Sequence, residues 1–179
     1  MTLQYNLIRS KRKTISLCVA DDLSIQVRAP QRMPLGDIEQ FVEKHTGWIE
    51  KQRSVVERRT ANPLTHVQVE QLREQAKVLL PQRVAHYSAV MGVVPTGIKV
   101  TSATTRWGSC SGRNSLCFPY RIMLLPPELL DYIIVHELAH IRVKNHSKSF
   151  YSVVAAYLPD YKARIATLKR IEKELPRSP

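Results

Sequence analysis

Three histidines and a glutamate occupy one short stretch of the chain, VHELAHIRVKNHSKSF, which spans residues 135–150. His136 and His140 are four residues apart. On a helix their imidazoles therefore project from the same face, one turn apart, where both can reach one metal ion. Glu137 is rotated by about 100° from His136, so it is better placed to take a proton from a metal-activated water than to act as a ligand. The H-E-x-x-H spacing is typical of zinc hydrolases.

A catalytic zinc ion needs a third protein ligand and one open position. His146 is the nearest candidate, because it follows His140 by only six residues. Asn145 tolerates the left-handed conformation that often ends a helix, so we expect the chain to turn there and bring His146 back toward the metal. Either Asn145 or Ser147 is expected to cap the next helix. Later acidic residues are alternative third ligands: Asp160, Glu172 and Glu174.

The spacing of the three histidines also matches the metzincin pattern, in which a glycine follows the second histidine and a methionine turn lies downstream. Val143 stands at the position of that glycine, and no methionine follows Met123. Both missing features exclude a metzincin.

The elements that must position the histidines are predicted from periodicity. Apolar residues recur along one stripe around the motif, and Pro126-Pro127 is expected to open this helix. Two β-rich segments precede it, Gly97–Thr105 and Ser115–Leu125, and WGSCSGRN between them is predicted to be a turn. Pro119 indicates a bulge or an edge position in the second strand. An earlier helix is predicted from about Val67 to Met91.

The N-terminal part has a different pattern. Alternating apolar residues in Thr14–Val19 and Ser24–Ala29 predict a β-hairpin, and Leu3–Ile8 is a candidate for a further strand. After Pro34 the period changes to that of one long helix, which ends before Asn62-Pro63. The pattern predicts an α+β protein with two parts, a β-hairpin-plus-helix module at 1–60 and a second domain at 64–179.

Composition limits the classes of partner. The 179 residues carry a net charge of +12, which favours nucleic acid, nucleotides or acidic substrates as partners. The basic residues are scattered, however, and the densest patches are not interleaved with aromatic residues. No apolar run approaches the roughly 18 residues of a membrane helix, and the three cysteines are widely spread. These features favour a cytoplasmic protein without a disulfide framework, and no feature specifies its oligomeric state.

The sequence also resembles a known family. The stretches TRWGSCS, FPYRIMLLPPELLDYIIVHELAH and NHSKSF, with RSKRKTISLCV and SIQVRAP near the N-terminus, are similar to the YgjP-like metal-dependent hydrolases. These are bacterial zincin-type proteins related to the WLM and SprT-like groups. The resemblance implies a zincin-like catalytic domain with an H-E-x-x-H helix and a small antiparallel sheet, preceded by the N-terminal module. It also implies Zn²⁺ as the cofactor, with His136, His140 and His146 as its ligands and Glu137 as the catalytic base.

Several residues near the motif are candidates for binding substrate. Arg106 and Arg121 flank the WGSCSGRN turn and could hold an anionic group. Trp107 could be a core residue or a wall of the substrate site, and Tyr151 could assist as a hydrogen-bond donor. In a peptidase, the strand Ser115–Leu125 is expected to hold an extended substrate by edge pairing.

Three functions remain open from the sequence. A zinc-dependent metallopeptidase acting on a peptide or protein is favoured by the motif. A zinc-dependent nucleotide pyrophosphatase, which hydrolyses a phosphoanhydride, would suit the +12 charge. A DNA-associated protease or a basic nucleic-acid-binding protein is the third, and it would bind DNA with steep salt dependence.

Overall fold

The structure is a computed structural model that describes residues 3–61, 63–172 and 175. The chain forms two compact units, Met1–Pro63 and Leu64–Pro179. The boundary lies in the segment where the Asn62-Pro63 break was predicted, although Asn62 itself is outside the described residues.

The first unit contains a three-stranded sheet with the order β1-β3-β2. Strands β2 (Ser16–Val19) and β3 (Ile25–Pro30) form the predicted hairpin, and β1 (Asn6–Ser10) lies parallel to the other edge of β3. Alternate residues of β3 are buried, as expected for a strand with one face on a core. The buried residues of this core are Ile25, Val27, Ala29, Ile38, Val42 and Ile49.

Two helices follow the sheet, where one long helix was predicted. Helix α1 (Leu35–Lys44) ends at His45, whose ψ of 13° departs from the helical value, and α2 (Thr46–Thr60) begins at the next residue. The ring of His45 is hydrogen-bonded to the carbonyl of Phe41. The prediction of one helix was wrong because both helices direct apolar residues to the same core, so the hydrophobic period continues across the break.

The second unit begins with the long helix α3 (His66–Met91), close to its predicted limits. Thr65 and Gln68 form a reciprocal capping box at its start, which pairs backbone N–H groups that lack helical partners. Gly92 ends the helix with a φ of 61°, the left-handed conformation that glycine adopts without strain. Pro81 lies within α3.

A second three-stranded sheet follows α3, with the order β4-β6-β5. Strand β4 (Gly97–Thr101) is parallel to β6 (Ser115–Pro119), whereas β5 (Ser109–Cys110) is antiparallel to it. The sheet is therefore mixed, which corrects the expectation of an antiparallel sheet, and part of the predicted WGSCSGRN turn is strand β5. Strand β6 ends at Pro119 because a 3₁₀ helix, Tyr120–Leu124, takes over from there.

The position of β6 also corrects the prediction about substrate pairing. Because β6 is the central strand, both of its edges are already paired. The segment Ser115–Leu125 therefore cannot hold a peptide by edge pairing, whereas β5 lies at an edge of the sheet.

Three helices complete the second unit: α4 (Pro127–Arg142), α5 (Lys148–Tyr157) and α6 (Tyr161–Ile171). Helix α4 starts at the predicted proline pair and is buried along most of its length. The core around it is built from α3, β6, the 3₁₀ segment and α5. The α+β class predicted from the sequence is confirmed. No helix in the described part of the chain is both long and apolar enough to cross a membrane.

Candidate metal centre

Helix α4 carries the first half of the site. Leu130, Ile134 and Leu138 are among the apolar side chains that hold it in the core. This burial carries the neighbouring polar side chains inward, so that Glu137 and His140 are both buried. Isolated polar groups are costly to bury, so this helix face must serve a purpose other than packing.

The chain returns His146 to α4 by a turn that differs in detail from the prediction. Helix α4 ends at Val143 in an extended conformation, with φ −134° and ψ 109°. Asn145 is not left-handed, since the non-glycine residues with positive φ in the described segments are Leu23 and Asn114. Instead, its side-chain oxygen accepts a hydrogen bond from the Ser147 N–H at 3.3 Å. Ser147 caps α5, as predicted.

The three histidines converge on one point. Nε2 of His146 lies 3.0 Å from Nε2 of His136, and one ring nitrogen from each of the three side chains lies within 4.8 Å of the others. A tetrahedral zinc ion with Zn–N distances of about 2.0–2.1 Å separates its nitrogen ligands by about 3.3 Å. The His136–His146 pair is close to this separation, and the 4.8 Å limit for the whole group places all three histidines around one point.

The second ring nitrogen of each helical histidine has its own partner. Nδ1 of His140 lies 3.1 Å from the carbonyl oxygen of Val143 and must donate to it. Nδ1 of His136 lies 3.4 Å from the hydroxyl of Tyr132, one turn earlier on α4. The Val143 carbonyl fixes the tautomer of His140 and leaves the lone pair of its Nε2 free to bind a metal ion, and the Tyr132 hydroxyl restrains the orientation of the His136 ring.

Phe150 supports all three rings from α5. Its ring is fully buried and its centroid lies 4.4–4.9 Å from those of His136, His140 and His146. The apolar packing removes rotameric freedom from the imidazoles before any ion binds. It also lowers the local dielectric, which strengthens electrostatic interactions in the site.

Burial keeps two of the imidazoles neutral. Burial, together with the neighbouring His140 and His146, lowers the pKa of His136 to about 3. Burial also lowers the pKa of His140, against the raising effect of its bond to Val143. A neutral imidazole is the form that binds a metal ion.

Glu137 is the buried acid of the site, with only 5% of its surface exposed. Burial raises its pKa to about 7, and the nearby Arg106 opposes this shift. Its side chain lies against the backbone of Gly108: a Cβ added there would be 2.6 Å from its Cγ and Oε1. The turn before β5 therefore forms a wall of the site.

The predicted substrate residues have different environments. Arg106 is exposed, and Tyr151 stacks on Tyr161 with its ring 6.3 Å from that of His146, so both remain candidates. Arg121 is buried, its guanidinium lies 5.5 Å from the Trp107 ring centroid, and it donates to the carbonyl of Thr104. Its side chain packs against the turn inside the fold, and contact with an anionic group stays a prediction for this residue.

The two alternative third ligands that the structure describes, Asp160 and Glu172, are not part of the histidine cluster. Asp160 accepts two hydrogen bonds from Nε of Arg164, at 2.9 and 3.0 Å. The metal-binding group found in the described residues includes neither Asp160 nor Glu172. Glu174 lies outside the described residues.

Sequence reasoning missed several supporting residues. Tyr132 carried a signal, since it lies four residues, about one helical turn, before His136, where a side chain can meet the imidazole. For Gly108 and Phe150 the sequence gives no signal that assigns them to the site, because their roles depend on contacts made by tertiary packing.

The site and fold define a metal-dependent hydrolase: a helix presents two histidines and a buried acid, and a third histidine returns from the following turn. The family model described as YgjP-like, metallopeptidase domain, matches residues 13–71 and 64–171. The chain therefore belongs to the YgjP-like metallopeptidase-domain family.

Solved structures similar to this chain include two archaeal metallopeptidase zymogens. That of Pyrococcus abyssi abylysin is 21% identical, with a TM-score of 0.48, and the match covers 56% of this chain and 98% of that chain. That of Methanocaldococcus jannaschii jannalysin is 24% identical, with a TM-score of 0.45, and the match covers 52% of this chain and 94% of that chain. A search of curated proteins gave no match.

Proposed function

We propose that this protein is a zinc-dependent metallopeptidase in which His136, His140 and His146 hold the zinc ion and Glu137 is the general base. The convergence of three imidazole nitrogens within 4.8 Å, beside a buried carboxyl group, is the observation that carries the proposal. Three nitrogen ligands with an open position are the donor set of a catalytic zinc site. Three imidazole ligands suit zinc better than hard ions such as Mg²⁺ and Ca²⁺, which prefer oxygen.

When bound, zinc supplies Lewis acidity that makes a water molecule acidic near neutral pH and polarises a carbonyl group. Glu137 accepts a proton from the attacking water at a carboxylate oxygen. It then passes this proton to the leaving nitrogen of the substrate. Burial raises the pKa of Glu137 in the metal-free protein, whereas the charge of a bound zinc ion would favour the ionised carboxylate, which is the form that accepts the proton.

Other side chains orient the groups that react. The Val143 carbonyl and the Tyr132 hydroxyl hold the rings of His140 and His136, so that each presents Nε2. Phe150 excludes water from one side of the cluster. Both effects reduce the reorganisation needed when the transition state forms.

A peptide substrate is supported by the family and by the edge of the sheet. Strand β5 lies at the sheet edge and begins directly after Gly108, which touches Glu137. An extended peptide that pairs with β5 would pass beside the general base. Arg106, Trp107 and Tyr151 are proposed to contact its side chains.

The scattered free cysteines favour the cytoplasm as the location.

Two measurements test this proposal: the zinc content of the purified protein and the class of substrate that it hydrolyses. The purified protein should contain one zinc ion per chain and cleave some members of a labelled peptide library. Glu137→Gln should keep the zinc and lose at least about 100-fold in rate, as expected when a general base is removed. Glu128→Gln is the matched control, because Glu128 is an exposed residue on the same helix.

The same panel separates the other two functions. Hydrolysis of nucleoside triphosphates without peptide cleavage would replace the peptidase by a phosphoanhydride hydrolase. Salt-dependent DNA binding that survives Glu137→Gln, with no hydrolysis, would favour a binding protein. A wild-type protein that binds no zinc, or a Glu137→Gln variant as fast as wild type, would refute the proposed mechanism.

A further inference from the structure

Lys144 bridges the turn that carries His146 and the turn between β5 and β6. Its ammonium group donates to Oδ1 of Asn114 at 2.6 Å and to the carbonyl of Ser111 at 3.1 Å. The sulfur of Cys110 lies 3.8 Å away. These residues are more than 29 positions earlier in the sequence, so the bridge joins two distant segments.

The receiving turn is held in place before Lys144 reaches it. Its backbone closes through a bond from the Asn114 N–H to the Ser111 carbonyl at 3.0 Å, and Ser111 Oγ accepts from the Ser115 N–H at 3.0 Å. Asn114 has a φ of 63°, a left-handed conformation that its short polar side chain tolerates. The Thr96 hydroxyl donates to the carbonyl of Arg113 at 2.7 Å and ties the turn to the start of β4.

The histidine at the other end of the bridge has the weakest local support. His136 and His140 are held by α4, whereas His146 lies between α4 and α5 and is exposed. The bonds of Asn145 and Ser147 shape its turn only from within the turn and the start of α5. Ordering a free backbone segment costs conformational entropy, and a loose turn would have to be ordered at the expense of metal affinity.

We propose that Lys144 is a positioning residue that holds the third metal ligand in place by anchoring its turn to Asn114 and Ser111. The inference rests on the proposed metal site. It assigns a role to the WGSCSGRN segment, which touches the site at two points: Gly108 borders Glu137, and Asn114 holds the turn of His146. The general base and the third ligand are thus positioned by one short hairpin.

Zinc affinity measured by chelator competition tests the anchor. Lys144→Met should weaken zinc binding about 10- to 100-fold, the range for residues that orient metal ligands. Asn114→Gly removes one of the two acceptors but keeps the left-handed backbone without strain. It should weaken binding by less than Lys144→Met does, because the bond from Lys144 to the Ser111 carbonyl remains. The double variant should lose little more than Lys144→Met alone, because that change already breaks the bond to Asn114. Lys148→Met is the matched control, since Lys148 is exposed at the start of α5.

The visible absorption of the cobalt-substituted protein gives a second readout that a general loss of stability would not reproduce. Lys144→Met should shift the spectrum toward that of His146→Ala, because both changes free the metal from its third ligand. If the Lys144 variant does not fold, Asn114→Gly alone decides the question.

The outcomes separate this inference from the proposed function. A wild-type protein without zinc affinity would defeat the metal site itself. Zinc bound normally by wild type and within threefold by both Lys144→Met and Asn114→Gly, with unchanged cobalt spectra, would overturn the anchor and leave the site intact. Losses that add fully in the double variant would also overturn it.

Discussion

Gly108 lies so close to Glu137 that a Cβ atom at position 108 would be 2.6 Å from both Cγ and Oε1 of the glutamate. Real Cβ atoms do not approach other atoms so closely, so one of the two residues would have to move. Gly108 does not have a positive φ. The requirement for glycine is therefore the close approach of the backbone to the general base and not the conformation of the turn.

Replacing Gly108 by alanine should displace the carboxylate from its position. We expect Gly108→Ala to lower kcat by about 10- to 100-fold, because a shift of about 1 Å in a reacting group can cost this much. Zinc content should stay at one per chain, since the three histidines are not touched. Gly112→Ala is the matched control: the same segment supplies a glycine whose added Cβ would meet nothing within 4 Å, and its activity should equal that of wild type.

A Gly108→Ala enzyme with unchanged kcat would show that the Glu137 side chain can move without loss of function. Equal losses in the alanine variants of Gly108 and Gly112 would assign the effect to the turn as a whole. Either result would contradict the role of Gly108 as the wall of the general base.

The hydroxyl of Tyr132 is expected to orient His136. Tyr132→Phe removes only the group that lies 3.4 Å from Nδ1 of that histidine. We expect zinc affinity to fall by roughly 10-fold, at the lower end for a lost orienting partner. Tyr157→Phe is the control. The hydroxyl of Tyr157 accepts a hydrogen bond from Arg142, which is not one of the three histidines of the site. Equal zinc affinities for both variants and wild type would contradict this role.

Removal of the metal should lower the thermal stability of the protein. At a zinc concentration 100 times Kd, binding contributes about 2.7 kcal/mol to the free energy of unfolding. For a protein of this size that corresponds to roughly 5–10 °C in Tm. We expect differential scanning fluorimetry to show such a decrease in the Tm of wild type when EDTA is added. Excess zinc should return the Tm to its original value. In His146→Ala the difference between the two conditions should be much smaller. A wild-type Tm that does not respond to EDTA would contradict a metal bound in the folded state.

The local elements of the site could be predicted from the sequence, because each depends on residues that are only a few positions apart. The proline pair opens α4, the i,i+4 spacing of His136 and His140 places them on one face, and Ser147 caps α5. Each of these is decided by backbone geometry that neighbouring residues dictate. The predicted turn at Asn145 is present, but its predicted left-handed conformation is wrong. A hydrogen bond from the Ser147 N–H to the Asn145 side chain stabilises the turn instead.

The parts that the sequence did not predict depend on contacts between distant residues. Gly108 contacts Glu137, and Lys144 contacts Asn114, and the residues of each pair are about 30 positions apart in the sequence. The hydrophobic periodicity of a sequence does not predict contacts of this kind. Strand β5 was hidden for the same reason: two residues have too little pattern to indicate a strand, and pairing with β6 defines it. The burial of Arg121 could not be foreseen, because arginine is rarely buried unless specific partners surround it.

Two groups of the site, His136 and Glu137, should give the metal-free protein opposing responses to acid. His136 has a pKa of about 3 in the folded state against an ordinary 6.5, so between these values only the unfolded chain binds its proton, and stability is lost as the pH falls. Glu137 has a pKa of about 7 against an ordinary 4.5. Between those values only the folded chain keeps its proton, and stability is gained as the pH falls. From pH 6.5 to 4.5 the two contributions oppose each other.

Glu137→Gln removes one contribution and leaves the other. On acidification from pH 6.5 to 4.5, the metal-free variant should therefore lose stability more steeply than wild type, by at most about 1.4 kcal/mol per pH unit, the value for one proton. Urea unfolding of both proteins in EDTA at several pH values measures this difference. Above pH 7 the Glu137 carboxyl is ionised in both states of wild type, so the two curves should run parallel there and provide an internal control. Parallel curves between pH 4.5 and 6.5 would mean that Glu137 is not protonated in the folded protein, and that burial does not hold its proton near neutral pH.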